Sequence, residues 1–491
     1  MTFLHGALIQ EPTTSSAPIP FSSLSVIGVI GTAPDSEGAS AATGFLGRAA
    51  SDNELEFTAI DVGGAGNAVS ISITIPANIS QSLAIDVDGQ KINVSLETDS
   101  LGDVVTTADA LKTALLANSD VSAIISVSGS GSGVVGAGIV GLSGGKDESF
   151  PLDTPTLLSG GWSSARSLGD AGTLLTAVRS IFEQGSANVV VIRVADSTDT
   201  ATQIDNIVGG YNAVGNGIGV QAFLSAKAET GFTPKILIAP GFSDNKVVVD
   251  ALISVADRVG GFVYADGPNT TDSEVYSYRD KFGSPRLMIV DPWVKRYSDG
   301  VVVSYPASAF AAGVRARTDQ TLGFWHSLSN QPVLSIEGTS RPVDFYINDP
   351  TCRANQLNSN EITTVIQHNG FRMWGNRTTS SDSRWVFESV RRTADAINVS
   401  ILESRMEVID QPITKAWVDA QVEQINDFLR SLKSRGAILD GKAWVDPSVN
   451  TAQDLAQGIF TIDFDFMPPP PAELIIVRSR INIDYLEELS V

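Results

Sequence analysis

Across 491 residues there is one cysteine, Cys352, and there are three histidines, His5, His326 and His368. A lone cysteine excludes an intrachain disulfide and a thiolate metal cluster. Histidine supplies most general-base chemistry and much metal ligation near neutral pH, so three scattered copies leave a histidine-dependent site little to build on. Positive charge is scarce as well. Lysine and arginine number 33 against 55 aspartates and glutamates, a net charge of −22. Such a surface repels phosphate backbones, which argues against nucleic acid as a direct partner. No apolar run approaches the roughly 20 residues that span a bilayer, so no membrane insertion is expected. Met1-Thr2-Phe3-Leu4-His5 lacks the basic start and long apolar stretch of a signal peptide. What the chain has is length for roughly three domains of about 150 residues, and a 43% hydrophobic composition that can fill them. The expectation is an acidic, multidomain protein made in a reducing cytoplasm.

Charge is uneven along the chain. Residues 1–160 hold 4 basic and 17 acidic side chains, and residues 161–491 hold 29 and 38. The acidic first third also carries the glycine- and serine-rich stretches, which marks a separate module. Ser25–Gly31 reads as a buried strand closed by Thr32-Ala33-Pro34-Asp35 turn chemistry, and Asn188–Val194 as the next comparable core strand. Between them, Val69–Ile75 and Ile92–Leu96 alternate with period two, Asp88-Gly89 signals a hairpin, and Thr107–Ala117 suits a helix with Ala108, Leu111, Leu115 and Leu116 on one face. From 165 to 300, helical segments (Ala171–Gln184, Lys246–Val259, and more weakly Thr202–Val208 and Ala222–Ala226) alternate with strands at Val189–Val194, Lys235–Ala239, Phe262–Ala265 and Arg286–Val290, the pattern of a parallel α/β layer. Toward the end, Pro412–Arg435 carries Val418, Val422, Ile425, Leu429 and Leu432 at helical spacing. Phe460–Phe466 alternates strictly, and Pro468–Pro471 stops it.

Motifs that promise chemistry dissolve on inspection. Gly131-Ser132-Gly133-Val134-Val135-Gly136 has the spacing of a dinucleotide phosphate loop and follows the strand-like Ile124–Val127. That loop needs a helix immediately after it. Gly138, Gly141, Gly144 and Gly145 follow instead, so a glycine-rich turn is expected. Gly141-Leu142-Ser143-Gly144-Gly145 matches a nucleophile elbow, yet Pro151 leaves no room for the required helix. Asp86, Asp88 and Gly89 echo a calcium loop whose other ligands are missing, and a hairpin turn accounts for them. No catalytic residue, metal ligand or cofactor is assigned, and no enzyme activity is expected.

Interaction features are better supported. Arg384, Arg391 and Arg392, with Glu388, lie on an expected helix that includes Trp385, Val386, Phe387 and Val390. One reading is a solvated amphipathic face; the other is a charged contact surface between subunits, for which planar guanidinium groups and tryptophan are suited. The chain ends are extended. Gly6–Glu11 can form a short strand followed by Pro12, Pro18 and Pro20 in a Ser/Thr-rich linker, and Arg478–Glu488 alternates to the end of the chain. Each could pair within its own domain or add a strand to a neighbour's sheet edge. The second choice makes Leu8, Ile9, Gln10, Ile481, Ile483 and Tyr485 interface residues. An arm that fits a different patch on the next copy builds rings or helical filaments.

Four stretches resemble the tail sheath proteins of contractile bacteriophage tails: Ser25–Pro34, Phe150–Pro155, Gly370-Phe371-Arg372-Met373-Trp374-Gly375-Asn376-Arg377-Thr378, and Trp385–Ala394. Leu55–Ala59 with Gly66-Asn67 resembles an insertion of some sheath proteins, which commonly lies on the outside. The resemblance implies a multidomain α+β / α/β fold: an N-terminal arm at 1–20, an α/β middle domain at 21–44 and 150–345, a β-rich inserted outer domain at 45–149, a C-terminal sheath core of mixed sheet and helices at 346–477, and a C-terminal arm at 478–491. It also implies stacked hexameric rings of the chain around a tail tube protein, with baseplate and tail terminator proteins as further partners. Assembly would occur in the bacterial host cytoplasm, the product would sit in the virion tail, and contraction would drive the tube through the host envelope without nucleotide hydrolysis. A phage-like bacteriocin or injection-system sheath shares these features. From other classes, an α/β nucleotide-binding enzyme and a cell-surface adhesin remain as alternatives.

Overall fold

The computed structural model describes residues 19–20, 23–298 and 300–489. The chain divides into two compact units: Pro34–Pro151 with Ser167–Asp170, and the remainder. The first is wider than the 45–149 read from the sequence, because its chain is already engaged at Ser40, which bridges Lys146. It holds a three-stranded antiparallel sheet (Thr43–Leu46, Leu55–Ala59, Ile125–Gly129). A four-stranded sheet runs in the order Ala84–Asp88, Lys91–Ser95, Ser70–Thr74, Gly138–Gly141. Asp88 pairs Lys91, so Gly89-Gln90 closes the hairpin with Gly89 at positive φ, as its sequence demands. The helix Ala108–Ala117 is capped by Thr107, whose hydroxyl accepts from the Ala110 amide. It buries Ala108, Leu111 and Leu115 against Leu55, Phe57, Ile71 and Ile92. Leu116, expected on that face, is exposed.

The second unit is built on an eight-stranded sheet. Its strands, in chain order, are β1 (Ile27–Thr32), β2 (Thr156–Leu158), β3 (Val189–Val194), β4 (Ile236–Ile238), β5 (Phe262–Asp266), β6 (Leu287–Val290), β7 (Ile362–Gln367) and β8 (Phe371–Trp374). They lie in the order β8-β7-β6-β5-β4-β1-β3-β2. The six inner strands are parallel, and the two edge strands β2 and β8 are antiparallel to their neighbours. Parallel strands are covered on both faces, which is why β1, β4, β5 and β6 are apolar or small at nearly every position rather than alternating. Helix α1 (Lys246–Val259), capped by Asn245 and ended by Gly260 in the left-handed region, packs its Val248, Val249, Leu252 and Val255 into the cluster formed with β1, β4, β5 and β6. Because β7 and β8 come from beyond residue 345, the boundary expected there runs through the sheet rather than between domains.

Strand order reverses at β1, the place where open α/β sheets bind ligands. Here it is filled. The Thr32 amide donates to the Thr173 hydroxyl at 3.2 Å, and the cavity lined by Thr173, Pro240 and Pro306 measures about 70 Å³, far below the several hundred that hold a cofactor.

Three further helices complete the unit: α2 (Ala307–Thr321), α3 (Glu388–Arg405) and α4 (Lys415–Ser434). Asp266, at the end of β5, accepts from the Ser308 amide at 2.8 Å and the Ser308 hydroxyl at 2.6 Å, satisfying the first turn of α2. Burial raises the Asp266 carboxyl to about 6.

Candidate assembly interface

Helix α4 begins at Thr414, whose hydroxyl accepts from the Trp417 amide at 3.2 Å, and it presents Ile425, Phe428, Leu429 and Leu432 as one buried stripe. Onto that stripe pack β9 (Asp440–Trp444) and β10 (Asp463–Met467), an antiparallel pair in which Lys442 faces Asp465 and Ala443 faces Phe464. Ala443 is buried in this cluster, whereas Phe464 and Phe466 are only half-buried. Ile397 and Ile401 of α3 and the isolated Ile19 fill the other side. The result is a two-stranded sheet with a wet outer face carrying Asp463 and Asp465 and an incompletely covered inner face.

Strand β10 runs into four consecutive prolines, Pro468–Pro471, which hold an extended strut of about 12 Å. Glu473 then meets Arg377 in a bidentate pair, Nε–Oε1 at 2.8 Å and Nη2–Oε2 at 2.6 Å. This contact explains much of the Gly370–Thr378 motif. Gly370 turns β7 into β8 with positive φ. A side chain on Gly375, also at positive φ, would collide with Thr363. Arg377 is thereby aimed outward, where hydrogen bonding to Glu473 raises its guanidinium above its ordinary range. Beyond the clamp, Leu474, Ile475, Ile476 and Val477 are exposed, as are Ile481, Ile483 and Tyr485. Residues 474–482 carry no regular structure, and Ile483–Leu489 forms a 3₁₀ turn. The expectation of one extended segment to Glu488 is corrected there: Asn482 accepts from the Asp484 amide at 3.1 Å and starts the turn.

The three arginines separate. Helix α3 starts at Glu388, not at Arg384. Arg384 is exposed and chelates Asp382 at 2.7 Å within a short 3₁₀ turn. Arg391 lies over the Trp385 ring at 4.1 Å and pairs with Asp395 at 2.6 Å. Arg392 is buried. Its two nitrogens hold both Asp319 oxygens at 2.8 and 2.7 Å, and it also donates to the Leu24 carbonyl at 3.0 Å. Arg315 shares Asp319 at 2.7 Å, and Tyr264 donates to Glu388 at 2.6 Å. Burial alone would raise the Asp319 carboxyl, but Arg315 and Arg392 together hold it below its ordinary value. Arg392 therefore belongs to the interior of its own chain, which corrects its assignment to an exposed contact surface. Asp319 and Leu24 lie 73 and 368 residues away in sequence, so no local pattern announces them.

Leu8, Ile9 and Gln10 lie outside the described residues. The chain just after them docks at two points, with Ile19 buried in the α3–α4 cluster and Leu24 held by Arg392. No spacing in a proline-rich linker signals that docking. The Gly131–Gly136 loop passes against Asp52, whose carboxylate accepts from the Ser132 amide at 2.9 Å and the Ser132 hydroxyl at 2.7 Å, and whose carbonyl accepts from the Gly133 amide at 2.8 Å. Side chains on Gly131 and Gly133 would collide with that carbonyl, so these glycines serve close backbone approach. Ser143 lies in a bridge to Thr43 with no helix after it. Cys352 is buried at the start of Arg353–Ser359. Among the described residues there is no cluster of potential metal ligands, and no helix is long and apolar enough to cross a membrane.

Residues 216–379 match the phage tail sheath protein central domain, and residues 380–482 match the phage tail sheath C-terminal domain. The chain is 37% identical over 347 residues to a prophage major tail sheath protein of Pseudomonas aeruginosa strain UCBPP-PA14, covering 70% of this chain and 90% of that one. It is 36% identical over 353 residues to the tail sheath protein of Escherichia phage P2, covering 70% and 88%. Among solved structures, it is similar in fold to the anti-feeding prophage helical sheath in the contracted state, with a TM-score of 0.53 at 21% identity, covering 67% of this chain and 89% of that one.

Proposed function

This chain belongs to the phage tail sheath family, and from that premise we propose how it builds its polymer and what it touches. It is a structural subunit of a contractile tail sheath. In our reading the C-terminal segment from Leu474 onward is an arm that adds a strand to a neighbouring copy, and the N-terminal residues before Ile19 are a second arm. The carrying observation is that an apolar, alternating segment leaves its own fold at the Arg377–Glu473 clamp and stays exposed, while a two-stranded sheet in the same unit has more edge than partners. Strand exchange between unlike patches is heterologous and propagates. Stacked hexameric rings around a tail tube, capped by baseplate and terminator proteins and assembled in the host cytoplasm, follow as the arrangement we favour. The β-rich unit would face outward.

Contraction in this reading needs no nucleotide. An extended polymer that is kinetically trapped releases free energy when it forms better subunit contacts. The fold likeness to the anti-feeding prophage sheath favours one second reading, a sheath of an injection system rather than a DNA-bearing phage; DNA in purified particles separates the two. The test of the arm is deletion of residues 478–491. Folded subunits that no longer form long tubes in electron micrographs are expected, and unchanged tubes would remove the arm from the account.

A further inference from the structure

Two routes join the segment after Glu473 to the rest of its chain. The first is the backbone itself, which returns through Pro468–Pro471 to Met467, the last residue of β10. Among the described residues β10 pairs only with β9, over five residue pairs that end at Asp440–Met467. A two-stranded ladder is marginal by itself, and Phe464 and Phe466 on it are only half-buried. A pull that enters at Met467 loads the terminal pair first and opens the ladder one pair at a time.

The second route is the Arg377–Glu473 pair, and it leads to firmer ground. Arg377 Nε and Nη2 donate to the two Glu473 oxygens at 2.8 and 2.6 Å, a fork-to-carboxylate geometry in which two parallel bonds must give together. The guanidinium also lies 5.9 Å from the centre of the Phe387 ring. The backbone beneath it is fastened on both sides. Asn376 and Thr378 are buried. The Asn376 carbonyl accepts from the Glu388 amide at 3.0 Å, and the Thr378 amide donates to the Val386 carbonyl at 2.7 Å. Those bonds tie Arg377 to the start of α3. Three residues earlier Trp374 ends β8, which is paired with β7 from Gln367–Phe371 to Thr364–Trp374 at the margin of the eight-stranded sheet. Followed inward from the exposed segment, the chain reaches Glu473 before Met467, and proline fixes φ along the strut between them. Tension therefore meets the clamp before it meets β10.

Resting on the arm reading above, we propose that the Arg377–Glu473 pair is a tension anchor. When neighbouring copies shift against one another, the pull on the segment from Leu474 onward passes at Arg377 into α3 and the eight-stranded sheet, and the β9–β10 pair is spared. The two side chains are 37% and 38% exposed, and a pair so exposed adds little to stability at rest. A contact that is weak at rest, bidentate, and set on braced backbone at the root of a tether serves holding rather than folding. Arg377 and Glu473 are positioning residues in this scheme.

Shearing assembled tubes of full-length chains tests this. Arg377→Ala and, separately, Glu473→Gln, which keeps the side chain's size, should leave thermal unfolding of the free subunit and tube formation at rest unchanged. Passed repeatedly through a narrow needle, tubes of either variant should break into pieces at least about threefold shorter than wild type, as follows from losing one exposed bidentate pair. The double variant should break no further than either single one, because both substitutions remove the same contact. Hydrogen exchange across residues 463–467 should be faster in sheared variant tubes than in sheared wild-type tubes, and equal among the free subunits. Wild-type fragment lengths in both single variants would overturn the anchor. So would breakage in the double variant that multiplies the two single effects, or unchanged exchange at 463–467 in tubes that do break. Failure of either variant to form tubes at rest would overturn it too, since the pair would then be an assembly contact. If deletion of residues 478–491 abolishes tubes while the clamp variants resist shear like wild type, the arm stands and the anchor falls. If the deletion leaves tubes intact, both fall.

Discussion

Strand β1 and the segment after Glu473 are built from the same kind of residue and have opposite fates. Ile27 and Ile30 are 0% exposed, whereas Ile475 is 75% and Ile481 is 96% exposed. Leaving several large aliphatic side chains in water forgoes roughly 1.5–3 kcal/mol apiece, a loss a lone subunit has no reason to keep. Periodicity and apolarity state that a segment wants a sheet; they do not state whose. The arginines of the Trp385–Ala394 stretch make the same point from the polar side. Arg384 is 79% exposed at its side chain and Arg392 is 2%, eight residues apart in one apparently amphipathic run.

The comparison predicts very unequal responses. The largest belongs to the interior: Arg392→Ala leaves Asp319 and Glu388 with one fewer cation in a dry site and should cost about 3–5 kcal/mol by chemical denaturation. A loss under 1 kcal/mol would mean the network is not formed as described.

Next comes pH. Burial raises the carboxyls of Asp266 and Asp291 to about 6, so the folded chain binds more protons than the unfolded chain between about pH 4 and 6. Stability attributable to each should therefore fall as pH rises through that window, by up to about 3 kcal/mol, and Asp266→Asn should flatten its share of the slope. Asp319 acts in the opposite sense and lower: its depressed carboxyl contributes stability that disappears as pH drops below about 4. A stability curve that Asp266→Asn leaves parallel to wild type would contradict the assignment. The smallest response is that of Arg384→Ala, which should leave the chemical denaturation midpoint indistinguishable from wild type, since a solvent-screened pair with Asp382 is weak.

Much of the fold was legible. Lys246–Val259 reads as a helix from its apolar spacing, and the structure gives those bounds, with Asn245 and Gly260 as its caps. Asp88-Gly89 marks its hairpin, and Val189–Val194 its buried strand. Such signals are local, fixed by backbone period and turn chemistry. What escaped depends on distance in sequence. Neither Arg392 beside Asp319 nor Ile19 beneath α4 leaves a trace in its own neighbourhood. Asn426, whose side chain bonds both the amide and the carbonyl of Ala443, reads in sequence as one more polar residue of a helix. The Gly370–Thr378 motif was visible as a run too specific for composition, yet its purpose at the Arg377–Glu473 clamp needed coordinates.

The central claim is that the exposed C-terminal segment is completed by another copy, and a near-atomic reconstruction of an assembled tube addresses it most directly. The account predicts the segment after Glu473 as a strand hydrogen-bonded to a different subunit. Finding that segment folded against its own chain in the polymer would contradict it.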